Sequence, residues 1–596
     1  MGTCSFATSA GCGSRASRMI EQAAVLDSRR LLGPSRLMDG AGAVLEVDFD
    51  ASLSAPLISH WADGLQFMLG ELGWEPATPH VLPRRGGASL GFEAPADLLL
   101  TATEVNEWAW AHAVELAGGP VAESRDAARE RIKQLAAEER KPRLIALERA
   151  AHAHGVSLYG DDESVTIGMG NGSRTFALDA LPDAITVEWS AVHDIPLALV
   201  TGSNGKTTTV RLLSAMLRAQ GRHPGWSSTD GVLIEGERIA EGDYSGPEGA
   251  RMVLRDERID AAVLETARGG ILRRGLAVTH ADVAVVTNIA ADHFGEYGIT
   301  DLAGLAETKL VVAKAVGSSG RLVLNADDAV LRQAGRALAV PMAWFGLVPG
   351  SVAAATGASG HESATLIDGW FVLQRGDERA DLLRVADAPV TLGGSAVHNV
   401  ANALAASLAA WCIGCSVDAI RQALASFGER NADNPGRASL FDVDGVRVLL
   451  DYAHNPHGMQ ALAAIARALP GGRRGLVVGQ AGNRDDESIR GLARSAWPIG
   501  VDHVVVKEME AYRRGRPIGE IPGLLADEFR RLGLPAAAIE FGESEVDAVG
   551  KALDWARPGD LLVLTVHSSR AAVLELLATR GAKELRGMGT TVQRTF

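Results

Sequence analysis

Cysteine is scarce in this chain, with four residues in 596. That excludes a disulfide-built scaffold. Long apolar runs are missing too. Nowhere do about 18 apolar residues follow one another, so no transmembrane helix is expected. No strongly basic block offsets the balance of 58 Lys and Arg against 73 Asp and Glu, a formal charge of −15. This argues against a nucleic-acid surface or an anionic-membrane anchor. Met1 to Arg18 lack the apolar stretch of a secretory signal, and Phe6 stands where a myristoylation motif needs Ser or Thr. These absences predict a soluble, cytoplasmic protein. What is present is ordinary globular composition, 47% hydrophobic and 22% charged, on a chain long enough for about three or four domains.

Residues 1–25, rich in Gly, Ser and Ala, read as a loose tail. Residues 26–188 form an α+β region. It carries a strand at Ala43–Phe49, a Gly/Pro-rich stretch at Pro76–Gly87, a helix at Asp97–Ala117, a charged helix at Ser124–Ala151 and a strand at Ser164–Gly168. Trp108 and Trp110 are expected in its core, and no catalytic cluster stands out there. The texture then changes. Between 189 and 430, short apolar runs at Leu197–Val200, Ala261–Leu264, Val283–Val286 and Leu322–Leu324 alternate with helical periodicity. This βαβα rhythm predicts a mostly parallel sheet covered on both faces. The runs lead into Thr201-Gly202, Glu265, Asn288 and Asn325. Polar groups therefore gather at the carboxyl ends of successive strands, where open α/β sheets bind ligands. Residues 431–596 repeat the rhythm at Val448–Leu450, Leu476–Val478, Val504–Val506 and Leu561–Val566, ending in Asp451, Gly479, Lys507-Glu508 and His567. The Gly/Asn/Pro-rich segment Gly428–Gly436 suits a hinge between the two blocks.

The strongest signal is Thr201–Thr209, T-G-S-N-G-K-T-T-T, which follows a strand and opens a helix with Val210, Leu213 and Leu217 on one face. Backbone N–H groups at such a helix start, together with Lys206, can cradle the phosphates of ATP, and the Thr207 hydroxyl can reach Mg²⁺. The nucleotide candidates are Gly202, Asn204, Gly205, Lys206, Thr207 and Thr208. The first glycine stands closer to Gly-Lys than in the general P-loop.

This short loop resembles that of the Mur ligase family of ATP-dependent amide-bond synthetases, and the resemblance extends along the chain. Glu265, in E-T-A-R-G-G, looks like the family's magnesium-binding glutamate. Asn288 and His293, in T-N-I-A-A-D-H, look like its asparagine–histidine signature, whose histidine holds a second Mg²⁺. Lys309 falls where many members carry a carbamoylated lysine, and Asn325-Ala326-Asp327-Asp328 resembles a further central motif. His398, Asn399 and Asn402 match the adenine-side helix, and Gly436-Arg437 with Asp451–Pro456 match the residues that close over the nucleotide. The resemblance implies a P-loop ATPase domain followed by a Rossmann-like domain. It also implies catalytic roles for Lys206, Glu265, His293, Lys309 and Arg437, with metal ligation by Thr207, Glu265, His293 and Lys309. Taken singly, Glu265 also reads as a solvated strand-end acid, His293 or His398 as a structural histidine and Lys309 as a surface lysine.

Thr229-Asp230-Gly231, Gly246-Pro247, Leu264–Leu272, Asn434–Arg437 and Lys507-Glu508 with Arg514–Pro517 and Gly519-Glu520 look closer to the cyanophycin synthetase branch than to cell-wall enzymes. Residues 1–188 are too few for a full ATP-grasp domain, although Arg143–Gly155 and Val165–Arg174 resemble its start. Length and truncation resemble the short second type, which joins β-aspartyl dipeptides into polymer. Its chemistry converts a carboxylate to an acyl phosphate, which an amine then attacks. The single-amino-acid ligation of folate and cell-wall enzymes remains open, as does a catalytically silent nucleotide-binding partner.

On this reading the substrate contacts include Arg268, His454, Arg484, Asp485, Arg514, Arg516 and Glu520. The loop arginines also read as a solvated face, and Arg268 as a helix-cap ion pair. ATP and Mg²⁺ are the implied cofactors. The expected partners are a dipeptide or amino acid, a polymer acceptor and further copies of the chain. Cys412 and Cys415 form a Cys-x-x-Cys, with Gly414 as a helix cap, and read as core packing.

Overall fold

The computed structural model describes residues 23–291, 294, 296–357, 361–586 and 590–591. They pack as two compact units. One runs to Asp194 and includes Gly246–Arg251 and Arg268–Thr279, and the other holds the rest.

The first unit is built on an antiparallel sheet of β1 (Ala24–Leu31), β2 (Gly42–Asp48), β3 (His80–Arg84) and β4 (Gly87–Glu93), in the order β1-β2-β4-β3. Ala43, Leu45 and Val47 alternate along β2. They pack in one core with Trp61 and Leu65 of α1 (Ser54–Glu71) and Val105 and Ala109 of α2 (Leu99–Leu116). Trp108 and Trp110 lie in the same core. A second antiparallel sheet joins β5 (Leu158–Gly160), β6 (Ser164–Ile167) and β7 (Arg174–Ala177).

Three local expectations change here. The Pro76–Gly87 stretch contains β3, and Pro83 is tolerated because β3 is an edge strand. The charged helix Ser124–Ala151 is two helices, α3 (Arg125–Glu139) and α4 (Pro142–Ala153). Pro142 bars Lys141 from the helical region, so the chain breaks and restarts with proline in the first turn. The tail expected over residues 1–25 lies outside the described residues up to position 22, and β1 begins at Ala24.

The second unit contains two large sheets. The larger has β8 (Leu197–Thr201) at its centre, between β12 (Ala261–Glu265) and β13 (Ala281–Val286), all parallel. Parallel pairing continues outward to β9 (Pro224–Ser228) on one side. On the other it runs through β14 (Val316–Asn325) and β15 (Met342–Gly346) to β16 (Ser363–Ile367). Antiparallel strands finish both edges: β10 (Gly231–Ile234) and β11 (Glu237–Ala240) at one, β17 (Trp370–Arg375) and β18 (Glu378–Arg384) at the other. The rhythm thus predicted the parallel centre, whereas these hairpins lack the intervening helices that mark it.

Two helices, α5 (Lys206–Ala219) and α6 (Val397–Ile413), share a core with this sheet, and Val210, Leu213 and Leu217 are buried in it. At the end of α6, Gly414 takes a left-handed φ of 99° and caps the helix. Burial pushes the Cys412 thiol up to about 12 and that of Cys415 to about 11. Both thiols are therefore protonated packing groups, free of any disulfide.

The last sheet is parallel through β23 (Ile539–Gly542), β22 (His503–Lys507), β21 (Arg474–Val478), β24 (Leu561–Thr565) and β20 (Val446–Asp451). It continues antiparallel through β19 (Ser439–Val443), β25 (Lys583–Arg586) and β26 (Thr590–Thr591). Helices α7 (Pro456–Ala468), α8 (Asp486–Ala496) and α9 (Glu520–Arg531) contribute to a core with it. The fold is therefore α/β, a central P-loop sheet followed by a Rossmann-like one and preceded by an α+β region. Among the described residues no helix is long and apolar enough to cross a membrane.

Candidate active site

The site is built at the carboxyl end of β8. The chain leaves this buried strand at Thr201, turns through Gly202–Gly205 and enters α5 at Lys206. Gly205 sits at φ 86°, and a Cβ there would collide with the Asn402 side chain. Only glycine meets both demands. The loop is clamped from the neighbouring strand. Asn288 closes a reciprocal pair with Asn204, accepting its N–H at 3.0 Å and donating to its carbonyl at 2.9 Å. Thr287 Oγ1 donates to the same carbonyl at 2.6 Å. Beneath the loop, Lys309 is buried and its Nζ donates to the Gly202 carbonyl at 2.9 Å, so it is no surface lysine. Asn402 is buried against Gly205 and donates to Asn399 at 3.2 Å. In this structure, then, Asn288, Lys309 and Asn402 shape the loop.

Glu265 ends β12 with no side-chain exposure. Its Oε2 accepts from Thr207 Oγ1 at 2.8 Å, and Lys206 Nζ lies 3.9 Å from Oε1. Burial raises the Glu265 pKa against the pull of Lys206. Oε1 has no hydrogen-bond partner, although it is buried. A buried, orphaned carboxylate oxygen beside a hydroxyl is a hard-oxygen pair that suits a divalent cation such as Mg²⁺. His293, the other expected metal ligand, lies outside the described residues. Among those that are described, no group of three acidic, His or Cys side chains could hold a metal ion.

The last sheet reaches the loop from the opposite side. Arg437 Nη2 donates to Thr207 Oγ1 at 3.4 Å while its guanidinium stacks 4.4 Å from the Tyr452 ring centre. Asn434 Nδ2 donates to Thr208 Oγ1 at 3.2 Å, and Asn455 Nδ2 to Asn204 Oδ1 at 3.0 Å. Asp451 accepts backbone N–H groups of Ala438 at 2.7 Å and Ala453 at 2.8 Å, which fixes the Arg437 loop. His398 is half-buried near Asp451. Burial lowers its pKa while Asp451 pulls the other way.

Residues 200–410 match the Mur ligase middle domain and residues 436–566 the Mur ligase glutamate ligase domain. A UDP-N-acetylmuramate–L-alanine ligase of Kineococcus radiotolerans is 32% identical over 64% of this chain and 74% of its own length. The chain belongs to the Mur ligase family.

A cyanophycin synthetase of Trichormus variabilis is 38% identical over 388 residues, 65% of this chain. The match spans only 43% of that relative's length. One solved structure, E. coli FolC in complex with DHPP and ADP, covers 65% of the chain at 22% identity and a TM-score of 0.48.

The substrate candidates of this Mur ligase fall into several settings. His454 lies beside the loop, half-buried, 5.4 Å from the Tyr452 ring centre and bonded through its carbonyl to Gln480 Nε2 at 3.0 Å. Asp485 caps α8, accepting the Ser488 N–H at 2.7 Å, and this hydrogen bond lowers its pKa. Arg516 braces its own loop, donating to Asp486 at 2.7 Å, Glu520 at 2.5 Å and the carbonyls of Gly482 and Arg484. The charges of Arg516 and Glu520 thus neutralise each other, which their spacing across one helical start allows. Arg514 is exposed. Arg484 precedes α8, and Arg268 is buried at the start of a helix in the first unit.

Sequence reasoning missed several participants. Arg211, Asp230 and the part-exposed Arg570 form an ion cluster near the loop, and His457 meets Asn204 at 3.0 Å. Asp230 was visible only as part of Thr229-Asp230-Gly231, and Arg211 only as one residue of α5.

Proposed function

We propose that this chain is an ATP-dependent, ADP-forming amide ligase that joins β-aspartyl dipeptides, such as β-Asp-Arg, into a cyanophycin-like polymer. The observation that carries the reading is the convergence of Lys206, Thr207, Glu265 and Arg437 at one helix start. This site lies in a chain that is 38% identical over 388 residues to a cyanophycin synthetase.

A carboxylate is a poor electrophile. An oxygen of the acceptor's terminal carboxylate attacks the γ-phosphorus of ATP, and ADP leaves. The dipeptide's amine then attacks the acyl carbon, losing a proton as inorganic phosphate departs. Positioning and charge neutralisation supply most of the catalysis in such a transfer. Backbone N–H groups at the start of α5 bind the phosphates, and Lys206 neutralises the transferring group. Arg437 brings a second cation from the last sheet, so the site is complete only while the two sheets are held together. Thr207 and Glu265 would hold Mg²⁺, which when bound adds further charge neutralisation. The clamps on Asn204 and Gly202 keep the loop from relaxing as charge shifts.

Phosphate release with ATP and Mg²⁺, measured against β-aspartyl dipeptides and single amino acids, tests the reading. Mass spectrometry then sizes the product. A ladder rising by one dipeptide residue is the expected result. One condensation with a lone amino acid would move the activity to single-step ligation, and phosphate release with no acceptor of the panel would refute the substrate.

A further inference from the structure

Arg211 projects from α5 one turn beyond Thr207, Arg437 comes from the loop before β19, and Arg570 starts the helix after β24. All three surround Asp230, in the turn between β9 and β10. Asp230 Oδ2 accepts from Arg211 at 2.8 Å and Oδ1 from Arg570 at 2.7 Å. The charge of Arg437 also acts on Asp230, whose pKa the arginines lower against the cost of burial.

The cluster is costly. Asp230 is 9% exposed and Arg211 5%. Arg211 Nε and Nη1 and Arg437 Nε are buried without any hydrogen-bond partner. Glu265 also acts on Arg211 and Arg437, so three guanidinium groups share two carboxylates in a site where ion pairs bring little net stability. An arrangement that stabilises so little is better explained by what it orients. Arg570 also donates to the Pro435 carbonyl at 3.3 Å. Its stem lies so close to Gly436 that a Cβ there would come within 2.9 Å of Arg570 Cδ. The segment Pro435–Arg437 is thus fixed by Arg570, and Arg570 by Asp230. Arg570 is itself firmly mounted, because Glu545 accepts the N–H groups of Ser568 and Ser569, the two residues before it.

We propose that Asp230 is a positioning residue. By binding Arg211 of the phosphate-loop helix and Arg570 of the last sheet together, it latches the two sheets' ends and aims Arg437 at Thr207. The role in turnover rests on the ligase reading above, but the latch itself does not. It binds no substrate. It acts through Arg437.

The test combines three measurements on the full chain. Spin labels at exposed Ala425 and Ala537, with Cys4 and Cys12 replaced by Ser, report the distance between the two parts of the second unit. Calorimetry reports binding of a non-hydrolysable ATP analogue, and phosphate release gives kcat and KM. Asp230→Asn is expected to broaden the distance distribution toward longer values. It should also lower kcat about tenfold or more while KM for ATP changes less, the pattern of an interaction realised in the transition state. Arg570→Gln, at a side chain 23% exposed, should reproduce both effects if Asp230→Asn fails to fold. Arg570→Lys should restore part of the loss.

Unchanged distances in both variants would overturn the latch. Altered stability with kcat and KM falling out of this pattern would reduce Asp230 to a structural role. Should the wild-type chain turn over no acceptor, the ligase reading fails, yet the distance and analogue measurements still decide the latch.

Discussion

Replacing Glu545 by Gln breaks a buried polar network of the last sheet. Oε1 of Glu545 accepts from Lys507 Nζ at 2.5 Å and from the His567 N–H at 2.7 Å. Oε2 accepts the N–H groups of Ser568 at 2.9 Å and Ser569 at 2.6 Å. Neither partner of the ion pair can be rehydrated in place, since Lys507 is 0% exposed and Glu545 2%. A glutamine keeps one acceptor oxygen and turns the other position into a donor. Whichever way it is turned, two former donors meet an NH₂ group, and Lys507 loses its counter-charge. Breaking a buried pair from one side costs about 3–5 kcal/mol. For a lobe of this size that is roughly 6–20 °C in apparent melting temperature.

Lys507→Met should cost less, because Glu545 then keeps its backbone donors. The double variant Lys507→Met/Glu545→Leu should remain near Glu545→Gln, since no isostere satisfies the orphaned amides. Differential scanning calorimetry of the three variants makes the comparison. If Glu545→Gln unfolds no earlier than Lys507→Met, or if the double variant regains wild-type stability, the reasoning from amide satisfaction is refuted.

Acid should act on the same network. Burial, reinforced by Lys507, pushes the His567 pKa down to about 4. The folded value is below the unfolded one, so this stability is present above about pH 6.5 and is lost as pH falls toward 4. Between pH 7.5 and 5 the loss is about 2 kcal/mol, and a His567→Gln variant should show a flatter melting profile across that range. Glu265→Gln removes a buried carboxylate whose Oε1 has no partner. It should stabilise the fold in Mg²⁺-free buffer by about 1 kcal/mol, read as a higher melting temperature, and abolish the further rise with MgATP; a lower melting temperature without Mg²⁺ would contradict the orphan argument. Gly205→Ala places a Cβ against Asn402 at a positive φ, and should weaken ATP binding at least about tenfold by calorimetry. Adding Asn402→Ala should recover only the steric part of that loss.

Much of the site was legible in order along the chain. Thr201–Thr209 joined a strand to a helix, and Glu265 and Asn288 stood where apolar runs ended. Such features are local, because a strand's carboxyl end and a helix's amino end are marked by hydrophobic periodicity and by the residues that interrupt it. The Cys-x-x-Cys was also legible as packing, since the glycine between the cysteines announced a helix end.

Other properties depended on what lies across from a residue rather than beside it. Local periodicity does not distinguish Lys309 bonded to Gly202 from a surface lysine, because the two are 107 positions apart. Arg516 carries the same charge whether it awaits a substrate or braces its own loop with Asp486 and Glu520. Asp230 and Arg570 are 340 positions apart and meet only because the two sheets place their ends together. The sequence by itself determined the elements and the phosphate loop, because backbone geometry and burial follow from neighbours along the chain. Only the tertiary structure decided which charges are satisfied and which are orphaned. That depends on distances in space, where Asp230 pairs with Arg211 and Arg570, from helices beside two different sheets.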